Sequence, residues 1–381
     1  MKIRRSDLIA LRFRRHQLDL GPDGERGGPA DVDLLDLGVQ DTGPDGAAWA
    51  LAIRGGPATL DDDLALAWTW RGAPHAYRRR DLAAIAVATA PYSEADAAKR
   101  VFDAAKPLKA AGIPVLDALR TVAGQMREIV RRPTSKGEVS SRLTERLDEP
   151  YLRECRPCAT IHIFEQPFRL SALQAGLELE PGTSPPVLRR IPGWRAEPLA
   201  RLAGEADPRF DPILTHLRFF PGARLRDVAT FLDAPQKEVR ARWPEDAVGI
   251  EVADDPTPGK AEPRFVLAPD LDDLGAGGAE PEGVVRLLGP YDPYLQLRDR
   301  ELLVDDEPRR KDLWRVLGRP GAVVRDGEVV GTWRPRTSGR KLTVLVERWG
   351  RWPRTTAPSV GSEAERLAAH REVELAGVEV V

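Results

Sequence analysis

The sequence predicts an α+β protein: tandem winged helix–turn–helix modules followed by a small C-terminal β-rich domain. Three observations carry this expectation. A helix–helix–helix–strand order runs from residue 6 to about residue 82, and its rhythm returns in 133–168 and in 206–268. Each return pairs a capped helix start with a later strand-like apolar run. The C-terminal part instead carries a hairpin pattern around Asp326-Gly327. The modules are therefore placed at 1–132, 133–200 and 201–269, and the β-rich domain at 283–381.

Length and composition set the bounds. At 381 residues the chain holds several domains, on a prior of roughly 100–200 residues each. Hydrophobic residues make up 42% and charged residues 30%, an ordinary globular composition. No apolar run approaches the roughly 20 residues of a membrane span, so no membrane partner is expected. The N-terminus, Met1 to Leu8, lacks the apolar core of a secretory signal. Two cysteines give no disulfide framework, which points to the cytoplasm. The formal net charge of −2 argues against non-specific nucleic-acid binding. The charges are clustered, however. Basic groups gather at Arg12/Arg14/Arg15, Arg78-Arg79-Arg80, Arg131-Arg132 with Lys136, and Arg334/Arg336/Arg340/Lys341. A neutral total can hide one basic face.

The first module begins with a helix over 6–15 capped by Ser6, then a Gly- and Pro-rich loop over 20–30. Val32, Leu35 and Val39 recur at helical spacing, which predicts a helix over 30–39, and a second follows over 45–53. Asp45 is placed to cap that second helix. Between them the amide of Gln40, the carboxylate of Asp41 and the hydroxyl of Thr42 stand side by side. They either project together into a groove or form a solvated corner. Leu64 to Trp68 fits a helix or a strand, Trp70 to Tyr77 is strand-like, and Arg80-Asp81-Leu82 opens another helix.

Residues 94–132 are helical with a break at Gly112-Ile113-Pro114, and Leu119, Val122, Met126, Ile129 and Val130 keep an apolar stripe. Pro133 to Thr144 reads as a capped short helix, and Cys158 to Phe168 as a strand serving as the wing. Pro181 to Pro186 is a Pro-rich linker. Residues 206–243 then give helices around Ile213, Val228 and Val239, with wing strands at 248–253 and 264–268. An acidic, Gly-rich linker occupies 270–283. The hairpin Val323 to Trp333, a strand over Lys341 to Val346 and a helix from Glu363 to Ala369 complete the chain.

Cys155-Arg156-Pro157-Cys158 with His162 invites a metal reading. A closed zinc site needs four ligands, and no second such pair exists. A thioredoxin-like role wants a βαβ context that is absent. The pair is read as structural, with no metal and no cofactor.

Four segments carry a resemblance to a known family: Leu37 to Leu51, Trp70 to Leu82 with His75, Arg286 to Arg300, and the hairpin end Val329-Val330-Gly331-Thr332-Trp333. The third, containing Tyr291-Asp292-Pro293-Tyr294, is the most specific. Through these the chain resembles the winged-helix DNA glycosylases of the AlkZ/YcaQ type, which unhook interstrand crosslinks and excise bulky alkylated purines. The resemblance implies tandem winged helices, a C-terminal β-domain and damaged double-stranded DNA as partner; a monomer is expected. The family's catalytic motif is Gln-apolar-Gln, or a variant ending in Asp. Here Gln40-Asp41-Thr42 aligns with it and keeps the first glutamine. The catalytic candidates are therefore Gln40, Asp41 and Thr42. Gln40 would hold the attacking water through its amide oxygen. Asp41 or Asp45 would accept its proton or stabilise the sugar cation, and Thr42 would orient it. His75, Arg78, Arg79 and Arg80 are candidates for phosphate or lesion, with a core or surface role as the alternative for each. Tyr291, Asp292 and Tyr294 are candidates for lining a DNA channel, or for packing between domains. The alternative function is a non-catalytic winged-helix DNA-binding protein, a regulator or a resistance protein that sequesters lesions.

Overall fold

Short apolar runs bounded by Gly, Pro and charge form strands, and the strands set the architecture. The computed structural model describes residues 1–20, 31–43, 45–60, 62–156, 159–257, 262–275 and 282–381. The chain opens with β1 (Lys2–Ile3) and α1 (Arg5–Arg15). Then come β2 (Val39–Gln40), α2 (Gly46–Ala52), β3 (Leu64–Trp68), β4 (Pro74–Arg78) and α3 (Leu82–Thr89). Helices α4 (Glu94–Arg100), α5 (Ala105–Ala110) and α6 (Val115–Ile129) lead to β5 (Thr134–Ser135) and α7 (Lys136–Thr144). Next are β6 (Leu152–Cys155), β7 (Thr160–Ile163), α8 (Glu165–Gln174), β8 (Leu177–Leu179) and β9 (Val187–Arg190). Helices α9 (Pro212–Phe219), α10 (Leu225–Leu232) and α11 (Gln236–Arg240) precede the hairpin of β10 (Ala247–Val252) and β11 (Arg264–Leu267). Helix α12 (Asp270–Gly275) and strand β12 (Val285–Leu288) lead to α13 (Arg300–Leu303) and α14 (Glu307–Leu313). The end of the chain is β13 (Gly321–Arg325), β14 (Glu328–Ser338), β15 (Lys341–Arg348), α15 (Thr356–His370) and β16 (Glu374–Val380).

The result is a mixed α/β protein. One sheet has the order β2-β4-β3-β8-β9-β5, a second is the β6-β7 pair, a third is β1-β10-β11, and a fourth runs β12-β13-β14-β15-β16. Sequence signals account for many elements. Ser135 caps α7, its hydroxyl accepting the Glu138 N–H at 3.3 Å. The α6 stripe buries Leu119, Val122, Met126 and Ile129 as its spacing requires. Asp326-Gly327 turns β13 into β14, with Gly327 at φ +92°.

Other expectations are corrected. Arg4, not Ser6, holds the cap position of α1, without a side-chain cap. The helix expected over 30–39 is a single 3-10 turn, Asp33–Asp36, followed by β2. Its apolar spacing arose because Val32, Leu34, Leu35 and Val39 are all buried, so helical period and all-round burial read alike. Gly38 ends the turn at φ +94°, where any side chain would collide with the Tyr77 ring. Leu64–Trp68 is a strand buried along its length. The Pro-rich stretch 181–186 is the loop joining paired strands β8 and β9, not a linker. The run Cys158 to Phe168 divides into β7 and the start of α8, and Cys158 itself lies outside the described residues. Within the expected linker 270–283, Asp270–Gly275 is helical and 276–281 lie outside the described residues, as does most of the 20–30 loop. The final strand β16 has no counterpart among the sequence expectations; it pairs parallel with β15.

The sheet pairings cross two expected boundaries. β3 pairs with β8, so residues on both sides of 132 share one sheet. β1 pairs with β10, so the N-terminus joins the 201–269 region. One apolar core runs from Leu18 and Trp49 to Leu287 and Trp333. It presses α2 against β12, where the Trp49 indole N–H donates to the Leu287 carbonyl at 2.8 Å. Among the described residues no helix is long and apolar enough to cross a membrane.

Candidate active site beside the second strand

Gln40 ends β2, the edge strand of its sheet, opposite His75 of β4. Its side chain is largely buried, and its Nε2 donates to Thr42 Oγ1 at 3.0 Å. That bond fixes the amide plane and leaves Oε1 as an acceptor. The Asp41 backbone N–H donates to the Pro74 carbonyl at 2.9 Å, which continues the strand edge for one more residue. Its carboxylate turns the other way and accepts the Ala47 N–H at 2.9 Å. Asp41 therefore caps α2 from a distance. Gly46 makes this feasible, because a Cβ there would collide with the Asp41 carboxylate. Asp45, expected as the cap, makes no capping bond. It is held by Arg371, whose Nε donates to Oδ1 at 2.7 Å and whose Nη2 meets Oδ2.

Thr42, Asp45 and Trp49 form one wall of a cleft of about 300 Å³. The other wall is Tyr291, Arg319, Trp333 and Arg334 from the C-terminal part of the chain, and Arg371 closes one side. Both tryptophans are pinned by β12: Trp333 donates to the Leu288 carbonyl at 2.8 Å, one residue from the Trp49 contact. Arg319 stacks over the Tyr291 ring at 4.7 Å. The cleft thus offers the Tyr291 ring, arginine cations and the hydroxyls of Thr42 and Tyr291, with the almost fully buried Trp49 and Trp333 as its backing. Gln40 and Asp41 stand behind Thr42 and do not line it.

A family model described as DNA glycosylase AlkZ-like matches residues 34–370. The chain belongs to the AlkZ-like DNA glycosylase family. Membership supports a DNA-repair glycosylase over a non-catalytic DNA-binding protein. The match begins just before the Gln40 strand and ends one residue before Arg371. Among solved structures, the Streptomyces sahachiroi DNA glycosylase AlkZ superposes with a TM-score of 0.70 at 20% identity, covering 100% of each chain. This chain therefore shares the AlkZ fold over its full length. None of the curated proteins matches it.

The remaining candidates of this AlkZ-like chain separate by burial. His75 is buried, its Nδ1 3.0 Å from both Thr69 Oγ1 and the Ala73 carbonyl. Burial, reinforced by the Arg71 charge, pushes its pKa down to about 3, so the ring is neutral at physiological pH. Arg78 is buried as well and is committed to Asp36 at 2.6 Å and the Val32 carbonyl at 2.6 Å. Arg79 is held by Glu178 at 2.6 Å and by the Asp62 and Leu64 carbonyls. Arg80 alone of the run is exposed. Asp292 is fully buried, takes both arms of Arg54, and caps the Tyr294 N–H at 2.9 Å. Tyr294 is buried with its hydroxyl on the Gly327 carbonyl at 2.7 Å. As placed, the side chains of His75, Arg78, Asp292 and Tyr294 are buried and engaged with partners inside the fold. Tyr291 and Asp292 both border the cleft, and of the two only Tyr291 is partly exposed.

Sequence reasoning missed Trp49, Arg319, Trp333 and Arg371 as cleft residues. Trp49 and Trp333 stood inside the quoted segments, but their orientation depends on β12. Arg371 gave no signal, since its partner Asp45 is 326 residues away. Among the described residues no group of three His, Cys, Asp or Glu side chains is placed to hold a metal ion. His162 has its Nδ1 2.7 Å from the Ile163 carbonyl.

Proposed function

We propose that this protein binds damaged duplex DNA and hydrolyses the N-glycosidic bond of alkylated, cationic purines or of the crosslinks they form. The observation that carries the reading is the fixed amide of Gln40. It is locked by Thr42 at the edge of a cleft walled by aromatic rings and arginines.

Cleavage of this bond passes through an oxocarbenium-like sugar, with water arriving on the open face. The bonding electrons leave with the base. A purine alkylated at N7 is already cationic, so its departure needs no general acid. The protein has to hold a water and meet positive charge on the sugar. In this reading Gln40 accepts a hydrogen bond from the water through Oε1. Thr42, which receives the Gln40 amide, turns its own hydroxyl toward the cleft. Asp41, with one oxygen on the Ala47 N–H, supplies negative charge to the sugar or takes the water's proton. Asp45 is the weaker candidate, because its carboxylate is occupied by Arg371. The partly exposed Tyr291 ring would provide stacking surface for an unstacked base, with Trp49 and Trp333 packed behind the cleft.

The same reading takes residues 212–267 as a winged helix, supported by the helix–helix–helix–hairpin order of α9 to β11. The two expected modules before it are read as one body, because their strands share a sheet. Arg80 is the remaining phosphate candidate of its run. The test is single-turnover base release from N7-alkylguanine or crosslinked duplex, with binding measured in parallel. Absence of release from every cationic lesion would sink the reading.

A further inference from the structure

The buried arginines of this protein are, as a rule, paired. Arg54 lies against Asp292, Arg12 and Arg264 against Asp299, and Arg78 against Asp36. A second group breaks the rule. Arg71, Arg298, Arg300 and Arg319 are half-buried, and among the described residues none of them forms an ion pair. They rest instead on rings and carbonyls. Arg71 stacks over Phe231 at 5.0 Å and donates to its carbonyl at 2.7 Å. Arg300 stacks over Trp314 at 5.1 Å, and Arg319 over Tyr291 at 4.7 Å. Among the described residues the buried Nε of Arg298 has no partner, nor has the Nε2 donor of neighbouring Gln296.

These arginines feel one another. Burial first, and then the charges of Arg298 and Arg319, push the Arg300 guanidinium down to about 10. Burial, followed by Arg298, pushes Arg71 down to about 9. The carboxylates that oppose them are Asp233 and Glu301, and Glu301 also faces Arg310 at 3.8 Å. Desolvated cations without counter-ions are costly. Their arrangement fits an anion that is supplied from outside. Asp299, between Arg298 and Arg300, points inward and is consumed by Arg12 and Arg264, so the two flanking arginines are left to face elsewhere. Arg319 is itself a wall of the cleft.

We propose that Arg298, Arg300 and Arg319, backed by Arg71, form a phosphate clamp that holds a backbone phosphodiester of the strand entering the cleft. The anion chemistry stands on the cluster alone; DNA as its source rests on the glycosylase reading. A guanidinium offers paired donors to phosphate oxygens, and one stacked on a ring is already oriented for this.

The test measures binding of undamaged, labelled duplex across a salt series, for the full chain and for Arg298→Gln/Arg300→Gln. Removing one arginine that neutralises a phosphate should lower the slope of log affinity against log salt by about 1. Because the arginines share one phosphodiester, the double variant is expected to lower it by about 1, and Arg298→Lys/Arg300→Lys to keep most of it. Removing self-repelling charge should leave the melting temperature without DNA unchanged or raised, which a purely structural pair of arginines would not do. An unchanged slope in the folded double variant overturns the clamp, and so does a collapse of its melting temperature. If inorganic phosphate stabilises the parent but not the variant while the duplex slope is the same in both, the site takes free phosphate and the DNA assignment is overturned. Base release plays no part in this readout, so failure of the excision reading leaves the test intact.

Discussion

Arg54 and Asp292 face each other with both side chains fully excluded from solvent, joined by two bonds of 2.8 and 2.7 Å. The pair ties the end of α2 to the strand-and-turn segment that walls the cleft. Arg54 also donates to the His16 and Ala50 carbonyls, so its donors are nearly all satisfied. Removing one partner leaves an uncompensated buried charge. Asp292→Ala is therefore expected to cost about 3–5 kcal/mol of stability, measured by denaturant unfolding. DNA affinity of the protein that remains folded should not change. A soluble, fully stable Asp292→Ala with weakened DNA binding would restore Asp292 as a DNA contact.

Gln40→Ala is expected to lower single-turnover base release roughly 10²-fold or more while duplex affinity is kept, because a pre-organised polar group is removed. Thr42→Val should cost less, since it removes the anchor of the amide but not the amide. Equal rates for Gln40→Ala and the parent would end the catalytic assignment of this stretch.

Asp41 carries two separable roles. Asp41→Asn keeps an oxygen for the Ala47 N–H and removes the charge. Asp41→Ala removes both, and loss of a cap of this kind costs about 1 kcal/mol. The expected pattern is a strong loss of base release in both variants, with a lowered melting temperature only in Asp41→Ala. Full activity in Asp41→Asn would reduce Asp41 to a cap.

Acid sensitivity should trace to buried histidines. Burial pushes both His75 and His216 down to about 3, below the ordinary value of about 6.5. Between those values the unfolded chain binds the extra protons. Their contribution is complete above about pH 6.5 and is lost as pH falls toward 3, at up to about 1.4 kcal/mol per pH unit for each ring. His216 packs against Phe220 and Phe231 at 4.7 and 4.8 Å, so His216→Phe suits its surroundings. It is expected to flatten the acid limb of a stability–pH curve and to change little at pH 7. An unaltered acid limb would place the sensitivity elsewhere.

Elements whose signals are local could be read from neighbouring residues. The Ser135 cap, the α6 stripe, the Asp326-Gly327 hairpin and the three helices before β10 are written in residues a few positions apart. Family resemblance was legible from four segments, and it singled out Gln40-Asp41-Thr42, of which Thr42 lines the cleft. Tertiary structure alone decided what each charged or aromatic residue does there. Asp41 rather than Asp45 caps α2, because Arg371, far along the chain, takes the Asp45 carboxylate. In sequence Arg78 fits a phosphate contact, a surface or a core, and Asp292 a DNA channel or a packing contact; in the fold, ion pairs with Asp36 and Arg54 bury them. Tyr291 reaches the cleft while Tyr294, in the same motif, turns inward to the Gly327 carbonyl. An ionisable side chain has the same spelling whether it meets water, a ligand or a buried partner. The choice is made by desolvation and by which opposite charge the fold brings within bonding distance, and neither is a property of neighbouring residues in the chain.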